Sequence, residues 1–446
     1  MERFTVFFWS MGAIQPAPCV PVVHLGCCRT FFKSMECNGS SLDWFNHKAA
    51  FKSRNSSNFV VLGIETSFDD TGCAIVNSNG DILGEALRSQ QAFHSLLGGC
   101  LPPIAKDLHV ECIESVIDEA FASAKLSLSD IDAVATSVKP GLAISLQVGL
   151  DHGKRLSKQG QKPFIPIHHM EAHALTARMI QKDVELPFLV ALISGCHSLI
   201  AVAHSVDKYS LLGTAMDAAP GETMDKLARR MQLRNRPELR NISGGRAIEL
   251  LAEKGDPTKF EFTMPLQGDQ SCNFSWGGLR TTCQKYISDS EIKHDLDVDE
   301  IIPEIDDLCA SLQAAICNHV CTRLQRAMEY ANRHNILPSG KTLVLSGGVA
   351  CNGAVKKCVG MLCDEMEYRL VVPPPHLCTD NGVMIAWNGV ERFQVGAGVI
   401  HNLEEIDAVA VESKAPLGED CRQAVEKERI SVNRKNRIRV EKALLK

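Results

Sequence analysis

Two histidines, His169 and His173, lie four residues apart in the stretch FIPIHHMEAHAL, which covers residues 164–175. The residues from His168 onward are mostly good helix formers, so the sequence predicts a helix there. Residues four apart lie on one face of a helix, and two imidazoles with this spacing are typical ligands of a single divalent metal ion. A metal site is therefore one hypothesis for this helix, and a pair of packed histidines is the alternative.

The acid between the two histidines does not fit a peptidase. Glu171 lies about 200° round the helix from His169, so it cannot share the metal-binding face. A zinc peptidase of the HExxH type has its glutamate directly after the first histidine. His168 also points away from the pair, and we expect it to pack or to cap the helix.

The best candidate for a third metal ligand is Asp380. It lies in the loop PPPHLCTDNG (373–382), which its prolines stiffen and after which Gly382 begins a helix. Two imidazoles and a carboxylate leave coordination positions open for a substrate phosphate. Because these ligands suit zinc, iron and manganese alike, the sequence predicts one divalent cation per subunit without identifying it.

The elements that must position these residues follow a repeated pattern. FVVLGIETS (59–67) predicts a buried strand, and CAIVNSNGDILGEAL (73–87) predicts two more strands joined by a turn. A second strand–turn–strand–strand unit begins at Phe188, and predicted helices follow the two units at 106–124 and 221–233. Duplication of a mixed α/β unit predicts two similar lobes that face each other across a cleft.

Four turns lie where predicted strands end or helices begin: Ser67–Thr71, Ser194–Ser198, Gly244-Gly245 and Gly347-Gly348. Glycine lets the backbone approach a phosphate closely, and the N-terminus of a helix favours an anion. Two lobes with phosphate-binding hairpins are the architecture of the actin, Hsp70 and sugar kinase superfamily. The sequence therefore predicts this duplicated, two-lobed α/β fold. The alternative is that these four turns are unrelated loops.

Composition excludes some classes of protein. With a net charge of −6, the 446-residue chain cannot have a wholly polyanion-binding surface, although a local basic patch is possible. No two of its 18 cysteines are three residues apart, so a CxxC zinc motif is absent. Several cysteines lie in apolar runs, which indicates reduced thiols in a core.

The first 58 residues differ from the rest of the chain. They are net basic, poor in acids and rich in Ser, Phe and Cys, and prolines interrupt their apolar stretch. That stretch is therefore no membrane helix of about 20 residues, and we expect no membrane association elsewhere. The composition favours an organellar transit peptide; a disordered extension is the alternative. The remaining predicted regions are a first lobe (59–166, completed by about 380–415), a second lobe (167–379) and a basic C-terminal tail (416–446).

Nine motifs carry a family resemblance. They occur in the order GIETSFDDTG, VKPGLAISLQVGL, IPIHHMEAHAL, LISGCHS, GETMDKLARR, SGGRAIELLA, NFSWGGLRT, SGGVACN and PPPHLCTDNGVMIAWNGVERF. Together they resemble the tRNA N6-adenosine threonylcarbamoyltransferases, the TsaD family, formerly described as O-sialoglycoprotein endopeptidases. The resemblance covers roughly Val60 to Gly398 and is strongest to the mitochondrial members.

The resemblance implies a reaction. Threonylcarbamoyl-AMP, made by a separate synthase, gives its threonylcarbamoyl group to N6 of adenosine 37 in tRNAs that read codons beginning with A, and AMP leaves. It implies tRNA as a partner, a mitochondrial matrix location and, as one option, a homodimer. A small-molecule kinase of the same superfamily and a non-catalytic scaffold that holds tRNA or a partner are the alternatives.

The resemblance also implies roles for individual residues. The family's metal ligands match His169, His173 and Asp380, and its acidic turn matches Asp69, the expected catalytic residue. The positions expected to bind substrate are Ile193, Ser194, Gly195, Cys196, Asp225, Gly245, Glu249, Cys351, Asn352 and Thr379. Cys196 stands where many members have glycine, which would matter if that position needs a positive φ, and Asp70 stands where glutamate is commoner.

The C-terminal residues 427–446 contain eight Lys and Arg residues against two glutamates. One interpretation is a solvated, disordered tail. The other is a basic arm that binds tRNA phosphates without reading the base sequence.

Overall fold

Two β-sheets with the same strand order form the centre of the fold. The computed structural model describes residues 58–97, 99–297, 299–432, 440 and 443–445, so the predicted leader, apart from Asn58, lies outside the described residues. The first sheet has the order β3-β2-β1-β4-β5. Its strands are β1 (Val60–Glu65), β2 (Asp70–Asn77), β3 (Ile82–Ser89), β4 (Ala133–Lys139) and β5 (Phe164–His168).

The second sheet repeats this arrangement in the order β10-β9-β6-β7-β8, with one further strand, β11, beside β8. Its strands are β6 (Phe188–Ile193), β7 (Ser198–Ala203), β8 (Tyr209–Thr214), β9 (Thr342–Ser346), β10 (Arg369–Val371) and β11 (Glu419–Asp420). In both sheets the first three strands are antiparallel, and the fourth and fifth run parallel to the first. The predicted duplicated α/β fold of the actin, Hsp70 and sugar kinase type is confirmed.

Helices cover the sheets and connect them. Those of the first half are α1 (Gln91–Leu97), α2 (Pro102–Ala124), α3 (Ala143–Gly160) and α4 (His169–Ile180). Those of the second half are α5 (Pro220–Arg230), α6 (Gly244–Ala252), α7 (Gly277–His294), α8 (Ile305–Arg333), α9 (Gly353–Met366), α10 (Pro375–Cys378), α11 (Gly382–Val395), α12 (Leu403–Ala408) and α13 (Arg422–Lys427). α2 begins four residues earlier than predicted because proline is tolerated in the first turn of a helix.

Helices α4 and α11 position the predicted metal ligands. α4 packs against strands of both sheets and is buried along most of its length. α11 packs against α4, β1 and β2. A Cβ atom on Gly382 would lie 2.5 Å from the carbonyl carbon of Cys73, so only glycine allows α11 to begin this close to β2. This close approach fixes the position of Asp380, two residues earlier.

The interior is apolar. Cys73, Cys309, Cys317 and Cys321 are buried in it as thiols and not in disulfide bonds, as predicted. Within the part of the chain that the structure describes, no helix is both long and apolar enough to span a bilayer.

Part of the C-terminal tail is anchored to the second half of the molecule. Ile430, Val440 and Ala443 are buried, and Arg326 Nε donates a hydrogen bond to the Ile430 carbonyl oxygen at 3.2 Å. A fully solvated tail is therefore wrong for these residues. Most of the tail's basic residues (434, 435, 437, 439, 442 and 446) lie outside the described residues, and the predicted division into lobes and tail stays a prediction.

Candidate active site

The three residues predicted to bind a metal meet in one place. One ligand atom each from His169, His173 and Asp380 lies within 4.8 Å of the other two. Asp380 Oδ1 is 3.1 Å from His173 Nε2 and 3.4 Å from His169 Nε2, and the two Nε2 atoms are 3.2 Å apart. We call these residues the His/His/Asp cluster.

A buried glutamate orients His169. His169 Nδ1 lies 3.1 Å from Glu65 Oε2 and 3.1 Å from Ser67 Oγ. The other oxygen of Glu65 accepts a hydrogen bond from the Ser67 backbone N–H. Because a carboxylate beside Nδ1 keeps a proton on that nitrogen, the lone pair of Nε2 can point into the cluster.

The charges in the cluster fit a cation. Burial disfavours the charged form of His169, but the carboxylates of Asp380 and Glu65 outweigh it and raise the pKa of His169 to about 10. Burial also opposes ionisation of Asp380, yet the two imidazoles hold the pKa of that carboxyl well below its usual range. A cation that takes the place of the proton would find two imidazole nitrogens and a carboxylate oxygen, a donor set suited to zinc, iron or manganese.

The turn between β1 and β2, together with the first residue of β2, forms an acidic turn (residues 66–70) beside the cluster. Burial, and after it the negative charge of Asp380, raises the pKa of Asp69 to about 6 and that of Asp70 to about 8. A carboxylate that titrates near neutral pH is suited to accept a proton. This direction of shift agrees with the role that the family resemblance implies for Asp69.

A cavity of about 540 Å³ opens between the acidic turn and the second sheet. Asp69, His169 and Asp380 line it. So do most residues expected to bind substrate: Ser194, Gly195, Cys196, Asp225, Gly245, Glu249, Cys351, Asn352 and Thr379. The structure thus brings residues from distant parts of the chain to one cavity.

The turn between β6 and β7, residues 194–197, forms one wall of this cavity. Ser194 Oγ accepts hydrogen bonds from the backbone N–H of Cys196 at 3.3 Å and of His197 at 3.0 Å. Cys196 is not among the residues with positive φ, so a cysteine costs no backbone strain there. Gly347 does need to be glycine, since its φ is +100° and a Cβ atom would lie 2.5 Å from the Ile193 carbonyl oxygen.

Two carboxylates that line the cavity connect helices α5, α6 and α9. Asp225 Oδ1 accepts from the Gly244 N–H at 2.8 Å, at the start of α6. Glu249 on α6 accepts from the Gly353 N–H at 2.7 Å, at the start of α9, and from Arg246 at 2.6 Å. Both helices therefore begin at the cavity, and in each a carboxylate already accepts from the first backbone N–H.

Two of the predicted site residues do not line the cavity. The side chain of Ile193 is fully buried in the core of the second sheet, and His173 lies behind His169. The sequence reasoning also missed Glu65, although an acid at the end of an apolar strand is a detectable signal, because a buried charge needs a partner. His168 caps α4 by accepting from the Met170 N–H at 3.2 Å, as expected.

Comparison with known proteins gives the same family as the motifs. The model of the family TsaD, tRNA N6-adenosine threonylcarbamoyltransferase, matches residues 81–387. The mitochondrial tRNA N6-adenosine threonylcarbamoyltransferase of Mus musculus is 45% identical over 376 residues, which cover 84% of this chain and 90% of that protein. The Homo sapiens relative of the same name is 44% identical over 374 residues, or 84% and 89%.

Solved structures are more distant. The crystal structure of HypF from T. kodakarensis matches 76% of this chain and 48% of that chain, with 13% identity and a TM-score of 0.46. The family model, in contrast, covers the chain from β3 to β10 and most of the residues that line the cavity. The chain therefore belongs to the family of tRNA N6-adenosine threonylcarbamoyltransferases, and its relatives place it with the mitochondrial members, as the ordered motifs predict.

Proposed function

We propose that this cavity binds threonylcarbamoyl-AMP and that the enzyme there transfers the threonylcarbamoyl group to N6 of adenosine 37. The tRNAs are those that read codons beginning with A, the donor comes from a separate synthase, and the compartment is the mitochondrial matrix. One observation carries the proposal: the acidic turn, the His/His/Asp cluster and the turn 194–197 border a single cavity of about 540 Å³.

The chemistry of the reactants defines what the residues must do. N6 of adenine is a poor nucleophile because its lone pair is delocalised into the ring, whereas the donor is already activated as a mixed anhydride. The protein therefore has to orient the two reactants and stabilise charge on the carbamoyl and phosphate oxygens. Asp69 is the residue that accepts the N6 proton or positions the amine.

The nucleotide part of the donor lies against the second sheet. The turn 194–197 contains no acidic side chain, so the donor phosphate lies against this turn, where the backbone N–H of Gly195 can donate to it. The carboxylates of Asp225 and Glu249 are acceptors for the ribose hydroxyls. Asn352, Cys351 and Thr379 complete the wall next to Asp380.

One divalent cation per subunit is part of the proposal. His169, His173 and Asp380 would hold it, and Glu65 would orient His169. Such a cation supplies positive charge that favours the donor phosphate and the departing AMP. A homodimer is a further proposal, which a mass measurement in solution tests.

The test combines metal analysis with transfer of the threonylcarbamoyl group from supplied adenylate to purified tRNA. Replacing both His169 and His173 with alanine should remove bound metal and transfer while the fold remains, because the cluster loses two of its three ligands. Full metal stoichiometry in the double variant would refute the ligand assignment. The wild-type enzyme failing to transfer would favour a scaffold, and ATP-dependent phosphorylation that survives the double substitution would favour a kinase.

A further inference from the structure

A fully buried histidine lies directly beneath the acidic turn. His109, on α2, has no exposed surface. Its Nδ1 is 2.7 Å from Thr71 Oγ1, and its Nε2 is 2.9 Å from the Phe68 carbonyl oxygen. The imidazole therefore contacts the residues on both sides of the Asp69–Asp70 pair.

The partners of His109 determine where its proton lies. A carbonyl oxygen can only accept, so Nε2 must carry the proton and donate to Phe68. Nδ1 is then an acceptor, and the hydroxyl of Thr71 donates to it. The Cys112 thiol, 3.2 Å from Thr71 Oγ1, donates to that hydroxyl oxygen in turn. Burial lowers the pKa of His109, which agrees with this neutral form.

These bonds restrict the one segment that carries Asp69. The acidic turn is a short connection between β1 and β2, and its backbone is also held at Asp69, whose carbonyl oxygen accepts from the Gln90 N–H at 2.9 Å. Phe68 contacts the turn 194–197, because its ring lies edge-on to the ring of His197 with centroids 5.8 Å apart. A displacement of Phe68 would therefore move Asp69 relative to the turn 194–197.

We propose that His109 is a positioning residue for the transfer reaction. It holds Phe68 and Thr71, the neighbours of the Asp69–Asp70 pair, so that the Asp69 carboxylate faces the reacting amine. The inference rests on the proposed role of Asp69. His109 itself contacts neither the cavity nor the His/His/Asp cluster within the described residues. Its effect on the reaction must pass through the turn.

The decisive substitution is His109→Phe, which keeps a ring of similar size and removes both hydrogen bonds. A shift of about 1 Å at a reacting group can cost about 100-fold in rate, so we expect kcat to fall by about 10- to 100-fold with little change in KM for tRNA. Thr71→Ser should retain activity because the hydroxyl remains. Thr71→Val removes only one of the two hydrogen bonds of His109, so its activity should fall between those of these two variants. It serves as the measurement if His109→Phe does not fold.

Measuring His109→Phe also in a protein that carries Asp69→Asn separates positioning from general destabilisation. In single-turnover assays, His109→Phe should reduce transfer in the wild-type background but cause no further loss when Asp69 is replaced with asparagine. An equal loss in both backgrounds, or no loss in the wild-type background, would overturn the positioning role. If Asp69→Asn alone retained full activity, the proposed role of Asp69 would be wrong, and the inference would fail with it.

His319 provides a matched control. It is also a fully buried neutral histidine with a single backbone partner, since its Nε2 accepts from the Ser275 N–H at 3.2 Å. It lies on α8 in the second half of the molecule, away from the acidic turn. His319→Phe should lower the melting temperature without changing kcat. A comparable loss of kcat in this control would show that destabilisation alone explains the effect at His109.

Discussion

Replacing Glu65 with glutamine should weaken metal binding although the residue is not itself a ligand. Glu65 is fully buried, and each of its oxygens accepts one hydrogen bond, from the Ser67 N–H and from His169 Nδ1. Glutamine has the same shape but only one oxygen. Its NH2 group would face either the Ser67 N–H or the His169 Nδ1–H, and two hydrogen-bond donors would then point at each other.

The size of the effect follows from this mismatch. A buried donor left without an acceptor costs about 1–3 kcal/mol, and about 1.4 kcal/mol corresponds to tenfold in an equilibrium constant. If the loss falls on His169, the ring is free to rotate and its Nε2 lone pair is no longer held toward the cluster. We therefore expect metal affinity to fall by about 10- to 100-fold, the range typical when the hydrogen-bond partner of a histidine ligand is removed.

Competition with a chelator of known affinity measures this change on purified protein. Glu171→Gln is the matched control: Glu171 is also buried, lies on α4 with the two histidines, and pairs with Arg392 on the opposite face of the helix. The control should lower the melting temperature and leave metal affinity unchanged. Unchanged affinity in Glu65→Gln, or an equal loss in both variants, would refute the orienting role of Glu65.

Three further predictions concern the rest of the chain. A fusion of residues 1–58 to a reporter should enter mitochondria, and a cytosolic reporter would contradict the transit peptide. Because Ile430 and Val440 are buried, the tail should be tested by replacing the basic residues of segment 434–439 with glutamine rather than by deletion. The affinity for tRNA should fall, and the slope of log affinity against log salt should flatten by about one unit for each tRNA phosphate that the variant no longer binds. Equal slopes would show that the segment does not bind RNA. Burial lowers the pKa of His319 from 6.5 to about 3, so below pH 6.5 the unfolded chain binds a proton that the native chain does not, and stability falls by up to about 1.4 kcal/mol per pH unit. The free energy of unfolding in urea should differ less between pH 7 and pH 5 for His319→Gln than for the wild type. The same difference in both proteins would contradict the lowered pKa of His319.

Local patterns predicted the elements well. The strands β1 and β6 are continuous apolar runs that end at polar turns, so their type and their limits are visible in the sequence. The pairing of His169 with His173 depends only on the helical period, and that period holds in α4. The duplication was also predictable, because it requires only that the same order of elements occur twice.

Contacts between distant residues were not predictable in the same way. Glu65 and His169 are 104 positions apart, and Phe68 and His109 are 41 apart, so neither pair produces a periodic signal. Ile193 shows a second limit. Neighbouring side chains of a strand point to opposite faces of the sheet. The sequence does not show on which face of the sheet the last residue of β6 will lie. The structure places it in the core.

The two copies of the duplicated unit have different turns, and this difference orients the donor under the proposed function. The turn after β1 carries Asp69 and Asp70, whereas the equivalent turn after β6 carries Ser194, Gly195 and Cys196. A phosphate is repelled by carboxylates and is favoured by backbone N–H groups. The AMP part of the donor must therefore lie against the second turn, which leaves the first turn to face the amine. Because both turns and the His/His/Asp cluster border one cavity, the bond that breaks is held where the second turn favours the departing phosphate and the first turn accepts the proton of the attacking nitrogen.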